Sequence, residues 1–420
     1  MTASLAVDTP ERAGAPPAAS GRPARRVETV ETIQVIERIG AEVAAAHAGD
    51  VDRAARFPSE TVGALKGAGV LGALVPSALG GGGATLTEAC EGVLALGRHC
   101  ASSAMVLAMH HLQVACLVRH GRSPALRSFL AEVAERQLLL ASATTEAGIG
   151  GRLRESSCAV NVVGDRFELE KQAPVISYGA HADAILVTAR RSPDSLPGDQ
   201  VLVACVKPGV TLEQVGEWDT LGLRGTCSPG FVLRASGPVS MVLDDPFGDV
   251  AAATMLPWSH ILWSHVWLGI ASSAMAKAGA LVRKKARQDP GTVPPGARRL
   301  AELGVTHQQL HALVTATVAR YDEASGGRGA EHISDTVALN ALKVGASTLV
   351  VEVVSGALGI CGMDGYREGT PYSLGRELRD AHSAALMVSN DRILGDNAQL
   401  LLIAKEQLGA ERAGRTEESR

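Results

Sequence analysis

After Pro246 the chain carries four stretches whose apolar residues recur at the three-to-four spacing of a helix. They are LPWSHILWSHVWLGIASSAMAKAGALVRKKARQ, ARRLAELGVTHQQLHALVTATVARYDEASG, ISDTVALNALKVGASTLVVEVVSGALGI and QLLLIAKEQLGAE. Four long helices joined by short loops predict a helix bundle over residues 247–410. No other feature of the chain narrows its possible folds as much.

The chain ahead of the bundle has two textures. Residues 27–137 are helical in pattern: Val30, Ile33, Ile36, Ile39 and Val43 fall along one helix face. Pro58-Ser59-Glu60 opens a further helix. Gly67, Gly69 and Gly72 loosen its end, and Pro76 forbids its continuation. Gly80 to Gly83 is expected to be a flexible loop, and two buried helices follow it. The second holds His110 and His111, which read as core histidines. From Leu138 the pattern becomes short β-rich runs separated by turn residues, with Gly164-Asp165 as a hairpin signal. An antiparallel β-domain is therefore expected over residues 138–246. The fold class is α+β: an N-terminal all-α domain, a middle antiparallel β-domain and a C-terminal four-helix bundle. Residues 1–26 and 411–420 are polar or rich in Ala, Pro and Gly, and are expected to be disordered tails.

A length of 420 residues suits two or three domains, and a net charge of -4 gives no reason to expect nucleic acid or an anionic membrane as partner. Seven cysteines stand singly, with no CxxC pair, which argues against a metal site or a disulfide framework and for a reducing, cytoplasmic setting. No run reads as a membrane span free of His or polar interruptions. Against this bland background the segment from Arg376 to Asn397 stands out, with seven charged residues and a histidine between apolar helical segments. It is either a solvated corner or the place where acid–base chemistry sits.

Five motifs fall in a fixed order: FPSETVGALKGAGVLGALVPSALGGGG, ATTEAGIGG, KQAPVISYGAHADAILVTAR, WDTLGLRGTCSPGFVL and GICGMDGYREGTPYSLGRELRDA. In order and spacing they resemble the acyl-CoA dehydrogenase superfamily from about Val27 to Leu408. The resemblance implies FAD between the β-domain and the bundle, and a homotetramer or homodimer in which a neighbouring subunit completes the flavin site. It places Thr144, Thr145, Gly150 and Gly151 in the flavin loop, where hydroxyls and backbone N–H groups suit a flavin ring and pyrophosphate. Ser177 falls where the family has a hydroxyl reaching flavin N5, and Val175 where a tryptophan usually packs on the flavin. Gly359, Gly362 and Gly365 permit close approach of a neighbour's dinucleotide. The family's R-x-x-F-G motif is not visible here, and Arg298 or Arg299 is expected to stand in for it.

Dehydrogenases of this family remove an α-proton with a desolvated glutamate placed after the RDA motif. Counting forward from Arg379-Asp380-Ala381, that position is Val388; counting back from the last helix, it falls near Ile393. Between them Asp391 is the carboxylate best placed to act as base, with Asp396 behind it. The family's other location for the base reads Ser259-His260. Three readings stay open. The leading one is α,β-dehydrogenation of an acyl thioester, on CoA or a carrier protein, with Asp391 as base and an electron-acceptor flavoprotein as partner. The second is a flavin monooxygenase using O2 on a small molecule, with FMN possible in place of FAD and His382 or His260 near the flavin. The third is a member that has lost catalysis and serves as a binding subunit.

Overall fold

The computed structural model describes residues 29–148, 155–325 and 333–403. Both expected tails, and Gly150 and Gly151 of the flavin loop, lie outside the described residues. The N-terminal domain is helical: α1 (Thr29–Ile39), α2 (Ala45–Arg53), α3 (Ser59–Gly67), α4 (Leu86–Gly97), α5 (Ala101–His120) and α6 (Pro124–Arg136). A π-turn at Gly40–Ala44 joins α1 to α2. Local chemistry sets several of these ends. Thr85 and Glu88 cap α4 reciprocally, with Glu88 N–H donating to the Thr85 hydroxyl and Thr85 N–H to the Glu88 carboxylate. Ser123 caps α6, with Pro124 at its first position.

The glycine run is not the flexible loop that its composition suggests. Gly82, Gly83 and Ala84 donate backbone N–H groups to the carbonyls of Gly72, Val75 and Ala73. A Cβ on Gly81 would sit 2.1 Å from the Val75 carbonyl oxygen. The run folds back on the preceding turn, and glycine is there for closeness rather than freedom.

The middle region carries β1 (Leu140–Ala143), β2 (Asn161–Val163), β3 (Arg166–Ala173), β4 (Ala184–Arg190), β5 (Gln200–Val206), β6 (Val210–Gln214) and β7 (Phe231–Pro238). Two sheets form, in the orders β1-β4-β5 and β2-β3-β7-β6. Gly164, at φ +64°, makes the β2–β3 hairpin turn. β3 and β7 alternate buried and exposed residues, as a sheet with one covered face must. β4 and β5 are buried along nearly their whole length. One pairing departs from the antiparallel expectation: β1 runs parallel to β4, with Leu140 opposite Ala184. Its short run of small and apolar residues fits either direction.

The C-terminal part holds α7 (Phe247–Val250), α8 (Leu256–Gln288), α9 (Gly296–Ser325), α10 (Ile333–Cys361), α11 (Met363–Tyr366), α12 (Gly375–His382) and α13 (Asn390–Ile403). α8, α9, α10 and α13 form the bundle, with α10 packed against the other three. The last helix begins at Asn390, earlier than its apolar run suggested. α5 and α10 are each long and apolar enough to cross a membrane by length and composition, and each carries the polar or charged interruptions read in the sequence, such as His110 and Lys343. In this fold α5 is an interior helix and α10 packs within the bundle. The His110 ring ties the core together as a neutral linker. Its Nε2 donates to the Leu71 carbonyl at 2.8 Å, and its Nδ1 accepts from Leu140 N–H at 3.1 Å. Burial pushes its pKa down to about 4.

Candidate functional site

Two loops of the β-domain bring several of the expected flavin residues to one edge. Thr145 donates its hydroxyl to the Val175 carbonyl at 3.0 Å, joining the loop after β1 to the turn after β3. Two residues on, Ser228 donates to the Ser177 hydroxyl at 3.0 Å, and Thr226 lies 2.9 Å from Ser228. With Ser228 donating, the Ser177 proton is left to donate outward. Ser177 is half-buried and Val175 exposed, so this edge offers a hydroxyl donor beside a small apolar side chain. Tyr178 and Cys227 hold left-handed backbone, each at φ +42°. Such conformations persist where surroundings fix them. Here Tyr178 N–H donates to the Thr226 and Cys227 carbonyls, and the Tyr178 hydroxyl to the Leu140 carbonyl at 2.9 Å. The edge is rigid before any ligand arrives.

One pair beneath this edge escaped the sequence reading. Glu146, inside the flavin-loop motif, is buried 3.2 Å from the Lys171 ammonium. It also accepts from the Ser156 hydroxyl at 2.6 Å and from the Ser157 and Cys158 N–H groups. Burial pushes the Glu146 pKa up, but the Ser156 hydroxyl and Lys171 outweigh it and hold the carboxyl below its usual range. Lys171 donates as well to Thr188, so the pair pins the flavin loop to β3 and β4. The signal available in the sequence was that Glu146 and Lys171 each fall in a quoted motif, two different ones, which spacing alone does not pair.

The turn after α12 holds the first of the two positions counted for the family's base. Its chain bends at Val388, which takes φ +52°, and the second, Ile393, is buried inside α13. The turn is held from below by Lys343 of α10, which is fully buried and donates to the Val388 carbonyl and to Asn390 Oδ1, both at 2.7 Å. The Lys343 ammonium lies 5.8 Å from the Trp267 ring centroid. Burial pushes its pKa down to about 8.

The three expected catalytic residues have different settings. Asp391 sits exposed on the first turn of α13, and its position does not supply the desolvation that proton abstraction from carbon demands. Asp396 is exposed too. His382 is exposed at the end of α12. His260 alone is buried, with Nδ1 3.5 Å from the Ser259 hydroxyl. Burial and the nearby Lys343 push its pKa down to about 4 against a hydrogen bond with Asn340, so the imidazole is neutral. At the far end of the bundle, Gly296 of α9 packs near Ile360 of α10, which sets Arg298, Gly359 and Gly362 in one region. Arg298 is exposed and pairs with Glu302 on its own helix. Gly359 and Gly362 have open space where a Cβ would stand, whereas Gly365 is closed in by Cys361.

The β-domain edge offers a hydroxyl donor, the start of α8 holds a buried neutral imidazole at His260, and the carboxylates of the turn, Asp391 and Asp396, are exposed. The family model described as "Acyl-CoA dehydrogenase, N-terminal domain" matches residues 28–137, and that described as "Acyl-CoA dehydrogenase, C-terminal domain" matches residues 248–393. The "Probable acyl-CoA dehydrogenase fadE25" of Mycobacterium leprae is 24% identical over 83% of this chain and 88% of its own length. The "Amino sugar nitrososynthase DnmZ" of Streptomyces peucetius is 26% identical over 80% of this chain and 84% of its own. The crystal structure of FMN-bound TdsC from Paenibacillus sp. A11-2 superposes with a TM-score of 0.77 at 19% identity, over 90% of this chain and 99% of that one. Domain order, motifs and matched regions together show that the chain belongs to the acyl-CoA dehydrogenase superfamily.

Proposed function

We propose that this protein is a flavin-dependent monooxygenase that oxygenates a small molecule. The observation that carries the reading is the turn after α12, where neither counted position, Val388 or Ile393, is a carboxylate and the Val388 carbonyl is bonded to the buried Lys343 ammonium. Thioester dehydrogenation requires a desolvated carboxylate beside the substrate's α-carbon. The carboxylates after α12 are exposed, and the start of α8 offers Ser259 and His260 instead. Oxygenation has no such requirement.

The β-domain edge fits a flavin. Ser177 has a hydroxyl proton left to donate, and Thr145 fixes the loop beside it. A bound, reduced flavin would activate dioxygen, one atom entering the substrate and the other leaving as water. Ser177 would donate a hydrogen bond to the ring, and Lys343 would keep the turn closed over the site. The neutral His260 would orient a polar substrate without adding charge. FMN or FAD both suit the edge. Electrons would come from a separate reductase or flavoprotein, and the cytoplasm's reducing conditions suit the free cysteines. Arg298, Gly359 and Gly362 would meet a flavin held by another copy. The exposed Leu394 and Leu402 on α13 and Leu386 ahead of it would pack between copies in a tetramer or dimer.

The test has two arms. Reduced flavin, oxygen and a panel of amino sugars and heteroaromatic compounds should give a product heavier by one oxygen atom. Anaerobic mixing of the oxidised holoprotein with acyl-CoA thioesters should leave the flavin spectrum unchanged. Bleaching by a thioester without added reductant would overturn the reading in favour of dehydrogenation.

A further inference from the structure

Where the three domains meet there is a groove of about 630 Å³, within the size range of small-molecule sites. Residues of α2, of the loop ahead of β7, of α8 and of α12 line it. Five cationic side chains reach it: Arg53, Arg224, Lys277, Arg376 and Arg379. Three carboxylates share the lining, Asp52, Glu368 and Glu377, so the cations exceed them by two. The two buried carboxylates are committed. Asp52 is paired with Arg379, and Glu377 Oε1 accepts from Lys277 at 2.5 Å and from the Ser273 hydroxyl at 3.1 Å.

The remaining guanidinium groups keep donors in reserve. Arg53 makes no ion pair or side-chain hydrogen bond among the described residues. Arg224 uses Nε and Nη1 on the Asp52 and Thr220 carbonyls and on Asp219, and keeps Nη2. Arg376 uses Nη2 on the His99 carbonyl and, at 3.6 Å, on Glu377 Oε1, and keeps Nε and Nη1. The Arg224 and Arg376 side chains are only 23% and 24% exposed, so both have lost much of their hydration without a full set of partners. Behind the lining, Asp380 accepts from Leu223 N–H. Burial pushes its pKa up to about 7, which weakens its claim on the cations at neutral pH.

We propose that this groove binds a phosphate-bearing small molecule, with Arg53, Arg224 and Arg376 on its oxygens. Guanidinium forks match phosphate geometry, and an excess of two positive charges matches a doubly charged anion better than a single carboxylate. The ligand would also steady the loop from Thr220 to Arg224, which runs on directly into Thr226 and Ser228 of the β-domain edge. The site does not depend on which reaction the protein catalyses.

Inorganic pyrophosphate titrated calorimetrically into the full chain tests it, as purified and again after saturation with FMN. One saturable site per chain is expected in both states, weakened by salt. Arg53→Glu and Arg376→Gln should each weaken binding by about tenfold or more, and Arg234→Ala on the β-domain surface should not. Should Arg376→Gln fail to fold, Arg53→Glu decides, because Arg53 is exposed. Absence of saturable binding, indifference to both substitutions, or affinity for acetate equal to that for pyrophosphate would overturn the proposal. Loss of binding on FMN saturation would do so too, by assigning the anion to the flavin site.

Discussion

At the scale of single residues, the argument turns on Val388. A β-branched side chain at φ +52° is strained, at a cost of about 1–3 kcal/mol. Lys343 opposes that strain by bonding the Val388 carbonyl and Asn390 Oδ1. Replacement by methionine would take the ammonium from two part-buried acceptors, the Val388 carbonyl and Asn390 Oδ1, the second of which keeps the Ser347 hydroxyl at 3.3 Å, a larger effect than the relief of burying no charge. Lys343→Met is therefore expected to lower stability by roughly 2 kcal/mol in denaturant unfolding and to weaken flavin retention. A stability equal to the parent's would show that the turn stands without it. Asp391 gives the contrasting case. Loss of a true general base costs about a hundredfold or more, whereas Asp391→Asn is expected to leave turnover within about twofold of the parent. A hundredfold fall would restore Asp391 to the chemistry.

At the scale of elements, α4 and α8 cross backbone against backbone. A Cβ on Gly269 would lie 2.7 Å from the Gly97 carbonyl carbon and 2.8 Å from its Cα. Both helices present backbone to backbone there, so neither can yield by turning a side chain. Gly269→Ala is expected to destabilise by about 1–3 kcal/mol, the usual scale of overpacking. Gly304→Ala, in α9 with nothing near its would-be Cβ, should stabilise by about 0.5–1 kcal/mol. Equal melting temperatures for the two variants would remove the close-crossing argument. The long helices and the Gly164 hairpin were legible in the sequence because periodicity and short-range turn chemistry encode them. The parallel β1–β4 pairing was not, since its partners lie more than forty residues apart and β1 is four residues long. Nor was the Val388 bend, because residue preferences argue against a valine there and only the tertiary bond from Lys343 explains it.

At the scale of the whole molecule, the three regions are locked by a few long-range polar contacts. Lys66 pairs with Asp183 at 2.9 Å, His120 bonds Asp245 at 2.8 Å and Thr254 at 2.9 Å, and Arg379 pairs with Asp52. The β-domain loop meets the bundle at Gly222, where a Cβ would strike the Arg379 carbonyl, and at Leu223, whose N–H donates to Asp380 at 2.6 Å. Asp380 makes this junction pH-sensitive. Burial, with Asp52 and Glu377 nearby, raises its pKa from 3.8 to about 7 against the pull of the Leu223 N–H and Arg376. Below the unfolded value both states hold the proton. Between about 4 and 7 the unfolded chain releases it while the folded one keeps it, so the Asp380 contribution to stability falls as pH rises. Asparagine keeps an oxygen for Leu223 and cannot ionise. The melting temperature of Asp380→Asn should therefore gain on the parent's as pH is raised from 4 to 7, and the gap should level off above that. A gap that stayed constant across this range would mean that Asp380 is ionised in the folded protein. The RDA aspartate would then work as a fixed anion between arginines, not as a carboxyl whose proton links the bundle to the loop carrying Ser228.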